Sequence, residues 1–167
     1  MRFTLIDQIV SLEPGQRITA IKNLSLAEEY LADHFPQFPV MPGVFMLESL
    51  TQSAAWLIRA SENFAHAIVT LSEARNVKYA DFVSPGQTLV VTAEILSQDD
   101  RQTKVKAQGT VNGTINVSAR LVLERYNQAD DQPSLAGNDR QVIRMMRELY
   151  EVLYRPGHAW QESNSPV

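Results

Sequence analysis

The sequence predicts an α+β fold in which a curved antiparallel sheet wraps around one long buried helix. The helical segment, residues 44–59, is apolar on almost every face, which is typical of a helix inside a domain rather than on its surface. Strand-like segments follow one another between residues 67 and 125 without helices between them. Because such a helix has to be covered on several sides, successive antiparallel strands folded around it are the simplest way to bury it.

The helix is preceded by a proline-rich segment that cannot itself be helical. Pro36, Pro39 and Pro42 each fix their own φ, lack an N–H and push the preceding residue toward extended geometry. No proline occurs in the apolar segment that follows, and the first position of a helix tolerates proline. We therefore expect the helix to begin at Pro42.

Turn sequences divide the rest of the domain into strands. At the amino terminus, Glu13-Pro14-Gly15-Gln16 has proline and glycine at positions that a β-turn favours, and it predicts a hairpin. Asn112-Gly113 is the strongest short signal for a two-residue hairpin turn, while Pro85-Gly86 and Asp99-Asp100 mark further breaks. The predicted strands cover residues 3–11, 17–24, 67–73, 76–82, 88–98, 103–111 and 114–125.

The carboxy-terminal part of the chain predicts a second helix outside the main domain. We assign residues 1–127 to the domain, 128–137 to a polar linker, 138–154 to the helix and 155–167 to a tail. Asn138 is placed to cap this helix. Its apolar stripe consists of Val142, Met145, Met146, Leu149 and Leu153. Such a stripe needs an apolar surface to cover, most often on the same domain and less often on a partner subunit.

The composition excludes several classes of protein and site. The 167-residue chain has no cysteine, which excludes disulfides, thiolate nucleophiles and cysteine-bound metals. Its net charge of −4, without a cluster of Lys and Arg, argues against nucleic acid as a partner. The three histidines are far apart in sequence, so we expect no metal site and structural or solvent roles for His66 and His158.

The chain also predicts a protein without a membrane span. Its longest apolar run is interrupted by Glu48 and Gln52, which makes that run too polar to cross a bilayer. The amino terminus does not resemble a cleavable signal. We therefore expect a cytoplasmic protein.

Two residues suggest proton-transfer chemistry. Glu48 is a carboxylate within the apolar helix, where burial of an unpaired charge is costly, and Gln52 lies four residues on, where it can hydrogen-bond Glu48. A single glutamate in a helix can also simply face solvent or an interface. His34 lies in the stiff segment before the helix and is the natural general base of the chain. Together with the free N–H groups at the helix start near Gly43, these residues supply a base, an acid and a carbonyl-binding site.

The segment around His34 contains a set of motifs at fixed spacing: His34-Phe35-Pro36, Pro39, Pro42-Gly43-Val44, Leu47-Glu48 and Gln52. In these residues and their spacing it resembles the active-site segment of the 3-hydroxyacyl-acyl-carrier-protein dehydratases of the hotdog fold. The resemblance extends over roughly residues 3 to 126 and leaves the carboxy-terminal extension uncovered. The chain departs from the family at Gln37, which stands where a glycine is usual, and a bulky Phe38 follows it.

The resemblance implies a hydro-lyase that converts 3-hydroxyacyl thioesters to trans-2-enoyl thioesters and water, in fatty-acid or polyketide-like synthesis, without a cofactor. It implies that His34 removes the proton next to the thioester carbonyl and that Glu48 delivers a proton to the leaving hydroxyl. It also implies a cis peptide bond between His34 and Phe35. The residues expected to bind the substrate are Phe35, Phe38, Met41, Gly43, Val44 and Gln52.

The resemblance also names the expected partners. The substrate is carried by acyl carrier protein, and an acidic carrier needs a basic patch, for which Arg75 and Lys78 are the best candidates. Each of these two residues is equally well interpreted as an ordinary solvated charge. Enzymes of this kind are homodimers, and we expect active sites that combine His34 of one chain with Glu48 of the other. A larger assembly of dimers is left open.

Two other functions remain open at this stage. A hotdog acyl thioesterase would use a helix carboxylate to activate water and would not need His34. A non-catalytic acyl-binding module is also compatible with the departures at Gln37 and in the carboxy-terminal helix. The presence of both His34 and Glu48 favours the dehydratase over either alternative.

Overall fold

The computed structural model describes residues 4–156, so most of the predicted tail lies outside the described residues. It contains six strands and two α-helices: β1 (Gln8–Glu13), β2 (Arg17–Asn23), α1 (Gly43–Ser61), β3 (Ile68–Tyr79), β4 (Thr88–Gln98), β5 (Gln102–Val111), β6 (Thr114–Tyr126) and α2 (Ala136–Leu153). Short 3-10 turns occupy Glu29–Leu31, Gln128–Asp130 and Pro133–Leu135. The strands form one antiparallel sheet in the order β1-β2-β4-β5-β6-β3. The predicted arrangement of a curved antiparallel sheet around a central helix is confirmed.

Helix α1 can lie close to the sheet because the facing strands present small side chains. Ala93, Ala107 and Ala119 are paired directly across β4, β5 and β6, and all three are buried. Two residues further along β5, a Cβ atom added to Gly109 would lie 2.8 Å from side-chain atoms of both Leu89 and Val117. The sheet is therefore fully packed at this point, and only glycine fits.

Strand β3 is one continuous strand, and the predicted division into strands at 67–73 and 76–82 is wrong. Its pairing with β6 shifts register between Leu71 and Glu73 and again between Arg75 and Lys78. Asn76 lies in the second irregularity with a φ of 52°, a left-handed conformation that asparagine tolerates better than most residues. The junction between the two predicted strands is therefore a bulge within one strand.

Helix α2 begins at Ala136, two residues before the predicted start, and its N-cap position falls on Leu135 rather than on Asn138. The polar residue that fastens this end of the helix is Asp139, which is buried. Its carboxylate accepts hydrogen bonds from the backbone N–H groups of Gln128 at 3.1 Å and Ala129 at 2.9 Å. The start of α2 is thereby tied to the chain that leaves β6.

Three of the five residues of the predicted apolar stripe of α2 pack on the same domain, which is the more frequent of the two arrangements considered for it. Met146, Leu149 and Leu153 pack against the core, together with Tyr150. The Tyr150 ring lies 5.4 Å from that of Phe64, measured between centroids. Tyr154, just beyond the helix, forms an isolated parallel bridge with Ile9 of β1.

We expect deletion of all residues after Gln128 to lower both solubility and melting temperature, because it uncovers Trp56 and Phe64 beneath Tyr150. Thermal unfolding and light scattering would measure the change. A matched truncation that ends at Pro156 keeps α2 and serves as the control. An equally soluble and equally stable chain without α2 would show that the helix covers nothing essential.

Between residues 4 and 156, no helix is long and apolar enough to cross a membrane.

Candidate active site

The proline-rich segment before α1 fixes the orientation of the His34 ring. The backbone N–H of His34 donates to the carbonyl of Tyr30 at 3.1 Å, and Nδ1 of the ring lies 2.9 Å from the carbonyl oxygen of Val40. Because a carbonyl oxygen only accepts hydrogen bonds, Nδ1 carries the hydrogen in this contact. In the neutral imidazole, Nε2 is then the unprotonated nitrogen, which is the form that a general base needs.

The turn after His34 differs from the expected one. Residues 4–156 contain no cis peptide bond, so the predicted cis bond between His34 and Phe35 is wrong. Instead Phe35 takes a left-handed conformation with a φ of 53°, and its carbonyl accepts a hydrogen bond from the N–H of Phe38 at 2.7 Å. This turn reverses the chain with trans peptide bonds and still brings Val40 to the His34 ring.

A partly buried ionic contact and a buried amide hold the segments that carry these residues. Lys22 of β2 binds Glu28 at 2.7 Å and Asp7 at 3.2 Å, and Glu28 directly precedes the 3-10 turn that leads to His34. On the other side, the Asn116 side chain donates to the carbonyl of Phe82 at 2.8 Å. Both loops are thus attached to the sheet.

His34 borders a cavity of about 280 Å³ at the amino-terminal end of α1, called here the His34 cavity. Its lining residues are His34, Phe35, Met41, Gly43, Met46, Tyr79, Ala80, Asp81 and Phe82. Gly43 is the first residue of α1, and none of residues 4–156 accepts a hydrogen bond from its N–H. This N–H at the positive end of a helix is available to a carbonyl oxygen of a ligand.

Gly43 also leaves room for the Tyr79 ring. A Cβ atom at position 43 would lie 3.3 Å from Cε1 of Tyr79, which is tighter than an ordinary van der Waals contact. The absence of a side chain at Gly43 therefore leaves this part of the His34 cavity open.

Glu48 lies one turn further along α1 and is held by Gln52. Gln52 Nε2 donates to Glu48 Oε1 at 2.9 Å, which confirms the predicted contact between these two residues. Gln52 Oε1 in turn accepts a hydrogen bond from the N–H of Leu5 at 2.9 Å. The amide of Gln52 is therefore oriented by the backbone, and it orients the carboxyl group of Glu48.

Glu48 borders a different cavity, of about 410 Å³, called here the Glu48 cavity. It is lined by Thr4, Glu48, Thr51, Gln52, Ala55, Trp56, Arg59, Val69, Thr70, Leu71, Met146 and Leu149. The cavity runs along α1 between the start of β3 and helix α2. Within one chain, then, the base and the acid of the predicted site border separate cavities.

The predicted substrate-binding residues are divided between these surfaces. Phe35, Met41 and Gly43 border the His34 cavity, whereas Gln52 borders the Glu48 cavity. Phe38 and Val44 border neither cavity and are 58% and 65% exposed.

The predicted carrier-protein patch is only partly available. Both guanidinium contacts of Arg75 go to the carboxylate of Glu73 at 2.6 Å, and this hydrogen bonding lowers the pKa of Glu73. Lys78 lies on the same strand, directly before Tyr79 of the His34 cavity.

Of the other two histidines, the structure describes His66. His66 Nδ1 lies 2.8 Å from a carboxylate oxygen of Glu62, which is a structural contact, and His158 lies outside the described residues. Nowhere in residues 4–156 do three His, Asp or Glu side chains form a group that could hold a metal ion.

The predicted site residues did not include Tyr79, Phe82, Trp56 or Arg59, which border the two cavities. Tyr79 and Phe82 border the His34 cavity because of how β3 and the loop after it fold. No local sequence pattern predicts that placement. Arg59 could have been found, because it follows Glu48 and Gln52 along the same face of α1.

Comparisons with known proteins identify the family of this chain. Residues 1–120 match the family model described as a FabA-like domain. A relative from Ruminiclostridium cellulolyticum, named 3-hydroxyacyl-acyl-carrier-protein dehydratase FabZ, is 34% identical over 119 residues, which are 71% of this chain and 84% of that protein. A protein of the same name from Listeria welshimeri is 34% identical over 120 residues, or 72% of this chain and 83% of that protein.

Solved structures give the same fold. A chain of the dehydratase heterocomplex ApeI:P from Xenorhabdus doucetiae has a TM-score of 0.64 at 20% identity, over 80% of this chain and 90% of that chain. The smu.793 protein from Streptococcus mutans, bound to acetyl CoA, has a TM-score of 0.58 at 14% identity, over 75% of this chain and 92% of that chain. These neighbours confirm the hotdog fold. With 120 residues matched to its model and relatives at 34% identity, the chain belongs to the FabA-like family.

Proposed function

We propose that the protein dehydrates 3-hydroxyacyl thioesters on acyl carrier protein to trans-2-enoyl thioesters, in fatty-acid or related synthesis. The observation that carries this proposal is the His34 cavity, where a base with a fixed tautomer and the free N–H of Gly43 border the same space. Its membership of the FabA-like family and its FabZ-named relatives support the same reaction.

The proposed mechanism uses only side chains and backbone groups. His34 Nε2 removes a proton from the carbon next to the thioester carbonyl, while the Gly43 N–H stabilises the negative charge that develops on the carbonyl oxygen. The carbon–oxygen bond at the next carbon then breaks, and the Glu48 carboxyl group gives the leaving hydroxyl a proton, so that water departs. Before the next turnover, His34 passes the proton it removed to the Glu48 carboxylate, which restores both residues to their starting state. No step requires a cofactor.

The proposed active site is shared between two chains of a homodimer. Within one chain His34 and Glu48 border separate cavities, so a second copy would have to bring Glu48 to the His34 cavity. The surface around that cavity supports an interface, because it exposes five large apolar side chains at 49% to 65%: Phe35, Phe38, Val44, Tyr79 and Phe82. Strand β3 is an edge of the sheet and could pair with a second copy of itself.

Acyl carrier protein is the proposed carrier of the substrate. The relatives are named for an acyl-carrier-protein substrate. Of the predicted patch, Lys78 carries the stronger support, since Glu73 neutralises Arg75 in the described structure. The cytoplasmic location expected from the sequence belongs to the same proposal, since acyl carrier protein is a soluble partner.

One experiment separates the dehydratase from the alternatives. The protein is incubated with a 3-hydroxyacyl thioester of acyl carrier protein and, in parallel, with the saturated acyl thioester of equal length. We expect enoyl thioester from the first and no free thiol from the second. Release of thiol would identify a thioesterase, and the absence of both products would leave an acyl-binding module.

A further inference from the structure

The Glu48 cavity has an apolar wall and a cation at its far end. Arg59 follows Glu48 by eleven residues on α1, which places the two residues about 16 Å apart along the helix axis. The same cavity is lined by apolar side chains of β3 and α2, namely Val69, Leu71, Met146 and Leu149. A hydrocarbon chain that starts beside Glu48 would therefore lie along apolar side chains and end near a guanidinium group.

Arg59 has no counter-charge within the described part of the chain. None of the carboxylates of residues 4–156 forms an ion pair with it, and its Nε is buried without a hydrogen-bond partner. The guanidinium group makes a cation–π contact with the Trp56 ring, whose centroid lies 5.8 Å from the guanidinium carbon. Burial lowers the pKa of Arg59 to about 10, so the side chain is still charged at neutral pH. A partly buried cation without a counter-charge is costly, and a ligand that supplies the missing charge lowers that cost.

We propose that the Glu48 cavity takes acyl chains whose far end carries a carboxylate and that Arg59 binds this carboxylate. The proposal rests on the proposed function, because it identifies the cavity with the acyl-chain site of the dehydratase. A guanidinium group matches the planar carboxylate with two parallel hydrogen bonds, which makes carboxylate the best ligand for an arginine in this position.

A chain with a methyl end would bind less well for a physical reason. It would fill the cavity beside Arg59 and remove water from the guanidinium group without replacing the lost hydrogen bonds. Sites built to bind a polar group reject analogues that lack it more strongly than apolar pockets distinguish chain lengths. Arg59 is thus a specificity-determining residue, remote from the reacting atoms.

The test measures binding rather than turnover. Two non-hydrolysable thioether analogues of a saturated acyl thioester are compared by calorimetry, identical except that one ends in a carboxylate and the other in a methyl group. We expect wild-type protein to bind the carboxylate analogue roughly tenfold or more tightly, as a charge-assisted hydrogen bond implies. Arg59→Met should abolish this preference, and Arg59→Lys should keep part of it.

Arg144→Met is the matched control, since Arg144 is an exposed arginine of α2 that does not border the cavity. This variant should keep the full preference for the carboxylate analogue. A wild-type protein that binds both analogues equally, or an Arg59→Met variant that still prefers the carboxylate, would overturn the proposal. The result does not depend on dehydration, because the analogues cannot react: a preference in the absence of enoyl formation would reject the proposed function alone.

Thermal unfolding of the Arg59→Met variant provides a second readout. The substitution removes an unpaired charge but keeps the aliphatic part of the side chain. The melting temperature should therefore stay unchanged or rise. A clear loss of melting temperature together with dissociation of the dimer would show that Arg59 pairs with a second copy of the chain, and this too would overturn the proposal.

Discussion

Mixing two inactive variants, His34→Ala and Glu48→Ala, should restore about a quarter of wild-type activity if the two residues act across a dimer interface. Random exchange makes half of the dimers mixed, and each mixed dimer holds one site with both residues intact and one site with neither. The structural reason is the separation of His34 and Glu48 into different cavities of one chain. The measurement is enoyl formation after subunit exchange, with exchange confirmed by native mass spectrometry.

The control for this mixture is the double variant His34→Ala/Glu48→Ala mixed with either single variant. A shared site then always lacks one of the two residues, so no activity should return. If the mixture of single variants also stays at the level of the separate proteins, although mixed dimers are present, both residues act within one chain and the shared site is excluded.

Gly43→Val should lower turnover by roughly two to three orders of magnitude, because the new side chain keeps the carbonyl away from the backbone N–H, which has the effect of losing one donor to the developing oxyanion. The first carbon of the new side chain would lie 3.3 Å from the Tyr79 ring, and the branched methyl groups would extend into the His34 cavity. Steady-state kinetics measures the loss, and circular dichroism checks that the fold is kept.

Gly137→Val is the matched control for this substitution. Gly137 lies in the first turn of α2, and the nearest atom to an added Cβ is 4.0 Å away at the end of the Arg140 side chain. This variant should keep normal turnover, and Gly43→Ala should show a smaller loss than Gly43→Val. Normal turnover in Gly43→Val would remove Gly43 from the active site.

The parts of this structure that were predictable depend on local signals. The start of α1 follows from three prolines and an apolar segment, and the contact between Gln52 and Glu48 follows from helical spacing. Both are decided by residues within a few positions of each other. The antiparallel sheet follows from turns such as Asn112-Gly113, which need no information from distant residues.

The parts that were missed depend on distant contacts. Strand β3 continues through Asn76 because β6 offers partners on both sides of the bulge, which no local pattern reveals. Likewise Asp139 ends in a buried position only because the chain after β6 returns its N–H groups to it. The cis bond expected at His34 came from the resemblance alone, and the described chain makes the turn with a left-handed Phe35 instead.

The placement of α2 has a consequence for how proteins of this kind can diversify. Met146 and Leu149 belong to a helix appended after the sheet is complete, yet they form part of the wall beside Glu48. The groups proposed to transfer protons lie on the loop and helix inside the sheet, so substitutions in the appended helix can reshape the space for a ligand while those groups stay in place. Selection on the choice of substrate can therefore act on one segment and selection on the reaction on another.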